Sequence, residues 1–287
     1  FPYSFKIDVT TINDNSAANT QVNFFHRFEA QDIVNSGWKY NDSNSFLTIS
    51  FYFKSNKSGT NKLPVRLETQ DGTKYWYVSE ITQSDTNWNR HTVKIPGNSN
   101  LTFNADNGYG LDVGWFLTAG STYHGTADTW GTTQIHGTSN STNYMDSTSN
   151  ELFFTGIQIE ATTNGIATDF EHRSFAVEKR LCMRYYQQYT NIMMVGYAPD
   201  NSNRSYAHAF TFPVEFRSAP TLTISNTGSV AGQYVTDGEF TKNVTSLLSA
   251  ACQTTFAEIS LNLSGDLVNY RGAYTIDNTS TSRQTTY

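Results

Sequence analysis

Short segments in which apolar and polar residues alternate recur along most of this chain of 287 residues. They lie, for example, at residues 3–10, 46–54 and 156–160. An alternation of period two is typical of a β-strand with one buried face, and turn-forming pairs such as Asp71-Gly72 separate the segments. Many short strands at this spacing, with almost no helical periodicity, predict an all-β protein of antiparallel sheets. We expect a jelly-roll β-sandwich.

One helical segment interrupts this pattern. Apolar and aromatic side chains recur at helical spacing over residues 175–189, and Ser174 can accept a hydrogen bond from the free amides at the start of a helix. The predicted domains are a jelly roll at 1–173, a short connecting α-helix at 174–190 and a smaller C-terminal β-sandwich at 191–287.

The composition limits the classes of partner. Only 15% of the residues are charged, 14% are aromatic, and the net charge is −6. No stripe of Lys and Arg is present to neutralise phosphates, so we expect no nucleic-acid partner. No run of about 18 apolar residues is present either, and we expect no insertion into a membrane. The two cysteines, Cys182 and Cys252, are predicted to be buried free thiols.

The chain contains no sequence motif of a common catalytic site. A G-x-S-x-G nucleophile turn, an H-E-x-x-H zinc motif and a phosphate-binding glycine loop are all absent from the sequence. Glycoside cleavage needs two carboxylates roughly 5 to 10 Å apart, and a sequence cannot place such a pair. We therefore expect a protein that is not an enzyme, with a glycan depolymerase as the alternative.

A weak metal site can be read around one glycine turn. Asn104, Asp106 and Asp112 group oxygen atoms that could hold Ca²⁺, although the EF-hand spacing and its closing Glu are missing. An Asx-rich turn, in which these side chains bond to their own backbone, is the favoured interpretation. No other cofactor is expected.

The best candidate for ligand binding is the long stretch at residues 118–150. It is rich in Gly, Ser, Thr and Asn, and aromatic residues are set into it. A sugar ring packs its C–H face on an aromatic ring and bonds its hydroxyls to amide, imidazole and carboxylate groups. The glycan-binding candidates are Trp130, Tyr123, His124, Asp128 and Tyr144. Two alternatives stay open, in which Trp130 pins the loop to the sandwich or lies at a subunit contact. Trp88 and Trp115 lie in strand patterns and are predicted to belong to the core.

The segment GIQIEATTNGIATDFEHRSFAVEKRLCMRYYQQY at residues 156–189 resembles a known signature. Its pieces are Gln158-Ile159-Glu160, residues 167–175 and residues 182–187. The signature is common in tail-fibre and other host-recognition proteins of bacteriophages, especially marine and cyanophage types. Further similarity lies in FPYSFKIDVTT, FLTISFYFKSNKSGT, WNRHTVKIPG and AFTFPVEFRSAPTLTIS, so that it covers most of residues 1–225.

The resemblance implies a virion structural protein with a carbohydrate-binding-like jelly roll. Its expected role is host attachment, as a homotrimeric tail fibre that recognises a glycan or other receptor on the host surface and contacts other virion proteins. A head fibre or capsid decoration protein without a receptor role is the alternative. Members of this class usually begin earlier than this chain does, so Phe1 is not expected to be the biological N-terminus.

Overall fold

The computed structural model describes residues 1–15, 17–189, 194–197, 203–224, 233–236, 241–266, 272–277 and 283–286. The chain divides into two compact units, Phe1–Glu171 and His172–Tyr287. Antiparallel strands dominate both units, which confirms the prediction of an all-β protein with little helix.

The N-terminal unit is built from eight strands. In chain order these are β1 (Phe5–Asp8), β2 (Gln21–Glu29), β3 (Phe46–Ser55), β4 (Asn61–Thr69), β5 (Trp76–Gln83), β6 (Asn89–Pro96), β7 (Tyr109–Ala119) and β8 (Glu151–Thr162). One sheet has the order β1-β8-β3-β6 and the other the order β2-β7-β4-β5. First and last strands pair, then second and seventh, third and sixth, and fourth and fifth. This nested pairing is the topology of a jelly roll, as the sequence predicts.

The core lies between these two sheets because apolar residues alternate with polar ones along each strand. In β4, Leu63, Val65 and Leu67 are fully buried in the core. In β7, Val113 and Trp115 are buried in the same core. Each large side chain buried in this way contributes roughly 1.5–3 kcal/mol. The intervening residues of both strands face away from the core, onto the outer side of the β2-β7-β4-β5 sheet.

The first helix, α1 (Ala30–Asn35), is a six-residue turn that the sequence analysis did not predict. Ala30 and Ile33, one helical turn apart, are both buried. The amide of Ala30 donates to the carbonyl of Gly108 at 2.9 Å. A Cβ atom on the neighbouring Gly110 would lie 2.6 Å from the Ala30 Cα, so this close approach of helix and strand requires glycine.

The second helix, α2 (Phe175–Cys182), begins where the sequence predicts, and Ser174 Oγ accepts from the Val177 amide at 3.4 Å. It ends eight residues before the predicted end at residue 190, and residues 187–189 form a strand instead. No residue of α2 is buried, and Phe175 is 82% exposed. Among the described residues, no helix has the length and apolar character needed to cross a membrane.

The described residues of the C-terminal unit form nine strands. They are β9 (Gln187–Tyr189), β10 (Met194–Tyr197), β11 (Arg204–Thr211), β12 (Thr221–Ile224), β13 (Gln233–Thr236), β14 (Thr241–Cys252), β15 (Phe256–Leu263), β16 (Gly272–Asp277) and β17 (Arg283–Thr286). Six of them close into a barrel of order β10-β11-β15-β14-β13-β16, and the other three form the sheet β12-β17-β9. The strands are antiparallel as predicted. Where the sequence predicts a second sandwich, six strands close into a barrel, and Leu222 of β12 packs into the same core as Ile259 and Leu261.

Both cysteines are free thiols. Cys252 is partly buried on β14, but Cys182 at the end of α2 is exposed, so the prediction that it is buried is wrong.

Candidate functional site

Tyr144 is wrong as a glycan-binding candidate. Its side chain is fully buried in the core, where its ring meets that of Phe53 edge-on at 5.9 Å. Its amide donates to the Leu117 carbonyl at 2.8 Å, which fixes this part of the loop against the end of β7. A residue with no exposed surface cannot contact a ligand.

Trp130 and Asp128 lie together over β5. The Trp130 ring is half-buried, lies 5.1 Å from the Tyr77 ring, and donates from Nε1 to the Pro96 carbonyl at 2.8 Å. The exposed Asp128 has a positive φ of 59°, and its amide donates to the Val78 carbonyl at 2.7 Å. These contacts favour the alternative in which Trp130 pins the loop to the sandwich.

Tyr123 and His124 form a separate pair at the start of the same loop. His124 Nε2 lies 3.0 Å from the Ala119 carbonyl oxygen, and the ring of Tyr123 packs against His136 with centroids 4.4 Å apart. The structure therefore divides the predicted residues between two places on the loop. His136, the ring against which Tyr123 packs, lines a groove that the prediction did not include.

This groove runs over the outer face of the β2-β7-β4-β5 sheet and has a volume of about 630 Å³. We call it the sheet groove. Side chains that point away from the core on three neighbouring strands form most of its surface, and residues of the long loop complete it. Its main polar and aromatic residues are Arg27, Arg66, Glu68, Tyr109, Asp112 and His136.

The floor of the sheet groove is a buried charge network centred on Arg66. Its Nη2 lies 2.5 Å from Asp112 Oδ1, and its Nη1 lies 2.7 Å from Glu68 Oε2. Glu68 on β4 and Asp112 on β7 stand directly opposite each other in the sheet register. Like charges in that position repel, so the guanidinium between them holds the pair together.

Aromatic rings cover one side of this network. The Arg66 guanidinium lies 5.1 Å from the centroid of the Phe116 ring, and His136 stacks on the same ring at 4.5 Å with an interplanar angle of 11°. Burial, together with the nearby positive charge of Arg66, lowers the pKa of His136 to about 4. His136 is therefore a neutral imidazole near pH 7. In the described part of the chain its Nδ1 has no hydrogen-bond partner.

Tyr109 and Arg27 form the rim on the other side. The Tyr109 hydroxyl donates to Asp112 Oδ2 at 3.0 Å. Burial raises the pKa of Tyr109, and the charge of Asp112 raises it further, so the phenol keeps its proton. The Arg27 guanidinium lies between two aromatic rings, 4.7 Å from Phe25 and 4.8 Å from Tyr109.

The sheet groove thus offers fixed amide, phenol, imidazole and guanidinium groups beside exposed ring surface. Asn23, Gln21 and Gln134 add neutral donors and acceptors to its lining. This combination matches the polar rim and apolar face of a sugar ring. The two carboxylates of the groove, Glu68 and Asp112, both contact Arg66.

The three metal candidates have different partners. Asp106 Oδ1 accepts from the Gly108 amide at 2.8 Å, which is the geometry of an Asx turn. Asn104 donates to Asp71 from its amide and its side chain, and Asp112 holds Arg66. The described residues contain no group of three or more His, Cys, Asp or Glu suited to a metal.

A second hollow, of about 510 Å³, lies on the other sheet beside Tyr3, Tyr52 and Trp88. Trp88 is 41% exposed there, so its predicted place in the core is wrong, because it precedes β6 and lies outside the paired part of the strand. Trp115, by contrast, is 2% exposed and stacks on Phe24 with centroids 5.1 Å apart, as predicted for a core residue.

No protein-family model and no characterised protein matches the sequence. Two solved structures show weak similarity over 99% of this chain and 88% of their own chains, each at 8% sequence identity. One is a protein from Parabacteroides distasonis ATCC 8503, with a TM-score of 0.25, and the other is the Macrobrachium rosenbergii nodavirus, with a TM-score of 0.17. Neither similarity is close enough to inform the function. The fold and the sheet groove define this chain as a jelly-roll β-protein followed by a small barrel.

Proposed function

We propose that the N-terminal unit is a glycan-binding module and that the sheet groove is its binding site. The observation that carries the proposal is the network of Arg66, Glu68, Asp112 and Tyr109, which fixes polar groups on an exposed sheet face beside aromatic rings. Groups that are already fixed lose little entropy when a ligand binds, so that weak individual contacts become useful.

The module serves, in this proposal, a tail fibre in the virion of a bacteriophage. Support comes from the resemblance of residues 156–189 to phage host-recognition proteins, and from a surface of neutral polar and aromatic residues. Its partners are then a host-surface glycan and other virion proteins, and a homotrimer would present three grooves at once. Several weak sites on one particle give firm attachment through effective concentration.

The test is the binding of fluorescently labelled protein to a glycan array and to candidate host cells. The groove variant replaces Asn23 and Gln134 with Ala, because both side chains line the groove and are uncharged. Gln134 Nε2 lies 3.1 Å from His136 Nε2, so the variant leaves the contacts of Arg66 with Glu68 and Asp112 in place. A matched control replaces the exposed Asn41 and Asn44, which lie before β3. Loss of two hydrogen bonds predicts about tenfold weaker binding for the groove variant alone. Circular dichroism and thermal melting confirm that both variants fold.

Three results would replace the proposal. Equal binding by both variants would place the site elsewhere, with the loop residues Tyr123 and Trp130 tested next. Incorporation into virions without binding to any glycan or susceptible host would identify a capsid decoration protein. Release of new reducing ends from a bound polysaccharide would identify a depolymerase.

A further inference from the structure

We propose that the sheet groove selects acidic glycans and that Arg27 binds the anionic group of the sugar. This inference rests on the proposed function and adds the chemical class of the ligand. It depends on the position and freedom of two cations, Arg27 on β2 and Lys74 in the turn before β5, both of which line the groove.

Arg27 is held in place but remains available to a ligand. Its side chain is 58% exposed although its guanidinium lies between the rings of Phe25 and Tyr109. Its ion-pair contact with Asp112 is long, 3.6 Å from Nε to Oδ2. That oxygen already accepts from Tyr109 at 3.0 Å. Among the described residues, no hydrogen bond reaches the terminal nitrogens of Arg27.

A guanidinium in this state suits a carboxylate or a sulfate. Its planar fork can donate two parallel hydrogen bonds to such a group, and the flanking rings have already restricted its rotamers. The ordering cost of a long side chain is therefore largely met before the ligand arrives.

Lys74 is a second available cation of the groove. It is 48% exposed, and its Nζ lies 3.7 Å from Glu68 Oε1, too far for a hydrogen bond. That oxygen already accepts from Gln70 Nε2 at 2.6 Å. Lys74 can therefore turn toward an anionic ligand without leaving Glu68 unpaired.

The charge balance of the groove also favours an anion. Three cations, Arg27, Arg66 and Lys74, face two carboxylates, Glu68 and Asp112, and His136 is neutral. The groove therefore carries a surplus of one positive charge on a chain whose net charge is −6. Because the chain as a whole is acidic, a polyanion should bind preferentially at this positively charged groove.

The experiment uses the full chain and an array that pairs neutral glycans with matched uronic-acid and sulfated forms. The site variant is Arg27→Gln. The control is Lys39→Gln, which removes the same charge from an exposed position outside the groove. We expect acidic members of the pairs to bind at least tenfold better than their neutral partners. Arg27→Gln should reduce that binding by about 10- to 100-fold, as loss of a charged hydrogen bond requires, whereas Lys39→Gln should not.

A third variant separates the fork from the charge. Arg27→Lys keeps the charge but loses the planar donor pair, so it should weaken the binding of uronic acids more than raising NaCl from 50 to 150 mM does. Comparison of the uronic-acid and sulfated glycans shows whether the bound anionic group is a carboxylate or a sulfate.

Two outcomes would overturn the inference. In the first, neutral glycans bind as well as acidic ones, and their binding is weakened by the Asn23/Gln134 variant but not by Arg27→Gln. This result would reject the acidic ligand while leaving the proposed function intact. A chain that binds no glycan of either kind would reject both.

Discussion

Arg66 and Asp112 form a buried ion pair across two neighbouring strands, with Nη2 2.5 Å from Oδ1 and side chains that are 7% and 3% exposed. The two residues are 46 positions apart in the sequence. Because Glu68 stands directly opposite Asp112, the single guanidinium separates two facing carboxylates. The floor of the sheet groove depends on this relationship.

Replacing Arg66 with Met should destabilise the protein strongly. The variant leaves Glu68 and Asp112 buried and facing each other without their common cation, and breaking a buried pair in this way costs about 3–5 kcal/mol. Urea unfolding followed by tryptophan fluorescence measures the loss. The matched variant Arg27→Met, which removes an exposed arginine of the same groove, should lose less than about 1 kcal/mol. Equal losses in the two variants would contradict the role of Arg66.

His136 should make the stability of the N-terminal unit depend on pH between about 6.5 and 4. Its pKa is about 4 in the folded chain and about 6.5 when unfolded. The unfolded state therefore binds the proton first as the pH falls, and stability decreases by roughly 3 kcal/mol across this window. His136→Phe keeps the stack on Phe116 but has no titrating ring. Urea unfolding from pH 7 to 4 should show a steeper decline in the parent than in this variant, and parallel curves would reject the assignment.

Trp130→Phe should affect stability and leave glycan binding unchanged. The substitution removes the hydrogen bond from Nε1 to the Pro96 carbonyl and part of the contact with Tyr77, at a cost of about 1–2 kcal/mol. Thermal melting and the glycan array give the two readouts. Weaker binding at unchanged melting temperature would show instead that Trp130 contacts the ligand.

The two thiols should react at very different rates. Cys182 is exposed, whereas Cys252 is partly buried, and burial raises its pKa and so reduces its thiolate fraction. In the native chain at pH 8, Ellman's reagent should modify Cys182 at least tenfold faster, and Cys182→Ser should abolish the fast phase. If Cys182 becomes reactive only when the protein is diluted, a second copy of the chain covers α2 at the higher concentration.

The strands of the jelly roll and their buried faces could be predicted because they depend on local alternation, which a single sequence displays. The spacing of Leu63, Val65 and Leu67 indicates a strand and its buried face from the local sequence alone. The early end of α2 could not be predicted in this way. The aromatic residues after Cys182 continue the helical spacing. The amides of Tyr185 and Tyr186 still bond to the Cys182 carbonyl, but pairing of Gln187–Tyr189 with β17 then holds the chain extended.

The sheet groove was missed for a related reason. Its residues come from four separated segments, and only the register of β2, β7 and β4 brings Arg27, Asp112 and Glu68 together. One signal was present in the sequence, since Arg66 and Asp112 are charged residues set between apolar ones within strand patterns. The aromatic residues of the long loop predicted a binding site there, but Tyr144 is buried in the core and Trp130 holds the loop to the sandwich.

The alternation within β2 places Phe24 and Phe28 against the core, and Asn23, Phe25 and Arg27 on the sheet groove. A substitution at Asn23, Phe25, Arg27 or Lys74 changes the groove while the side chains between the sheets keep their packing. In the proposed binding module, single substitutions on this face can therefore change ligand recognition while the scaffold stays constant. A library of variants at these four positions, with Arg66 and Asp112 left unchanged, could be screened for binding to other ligands.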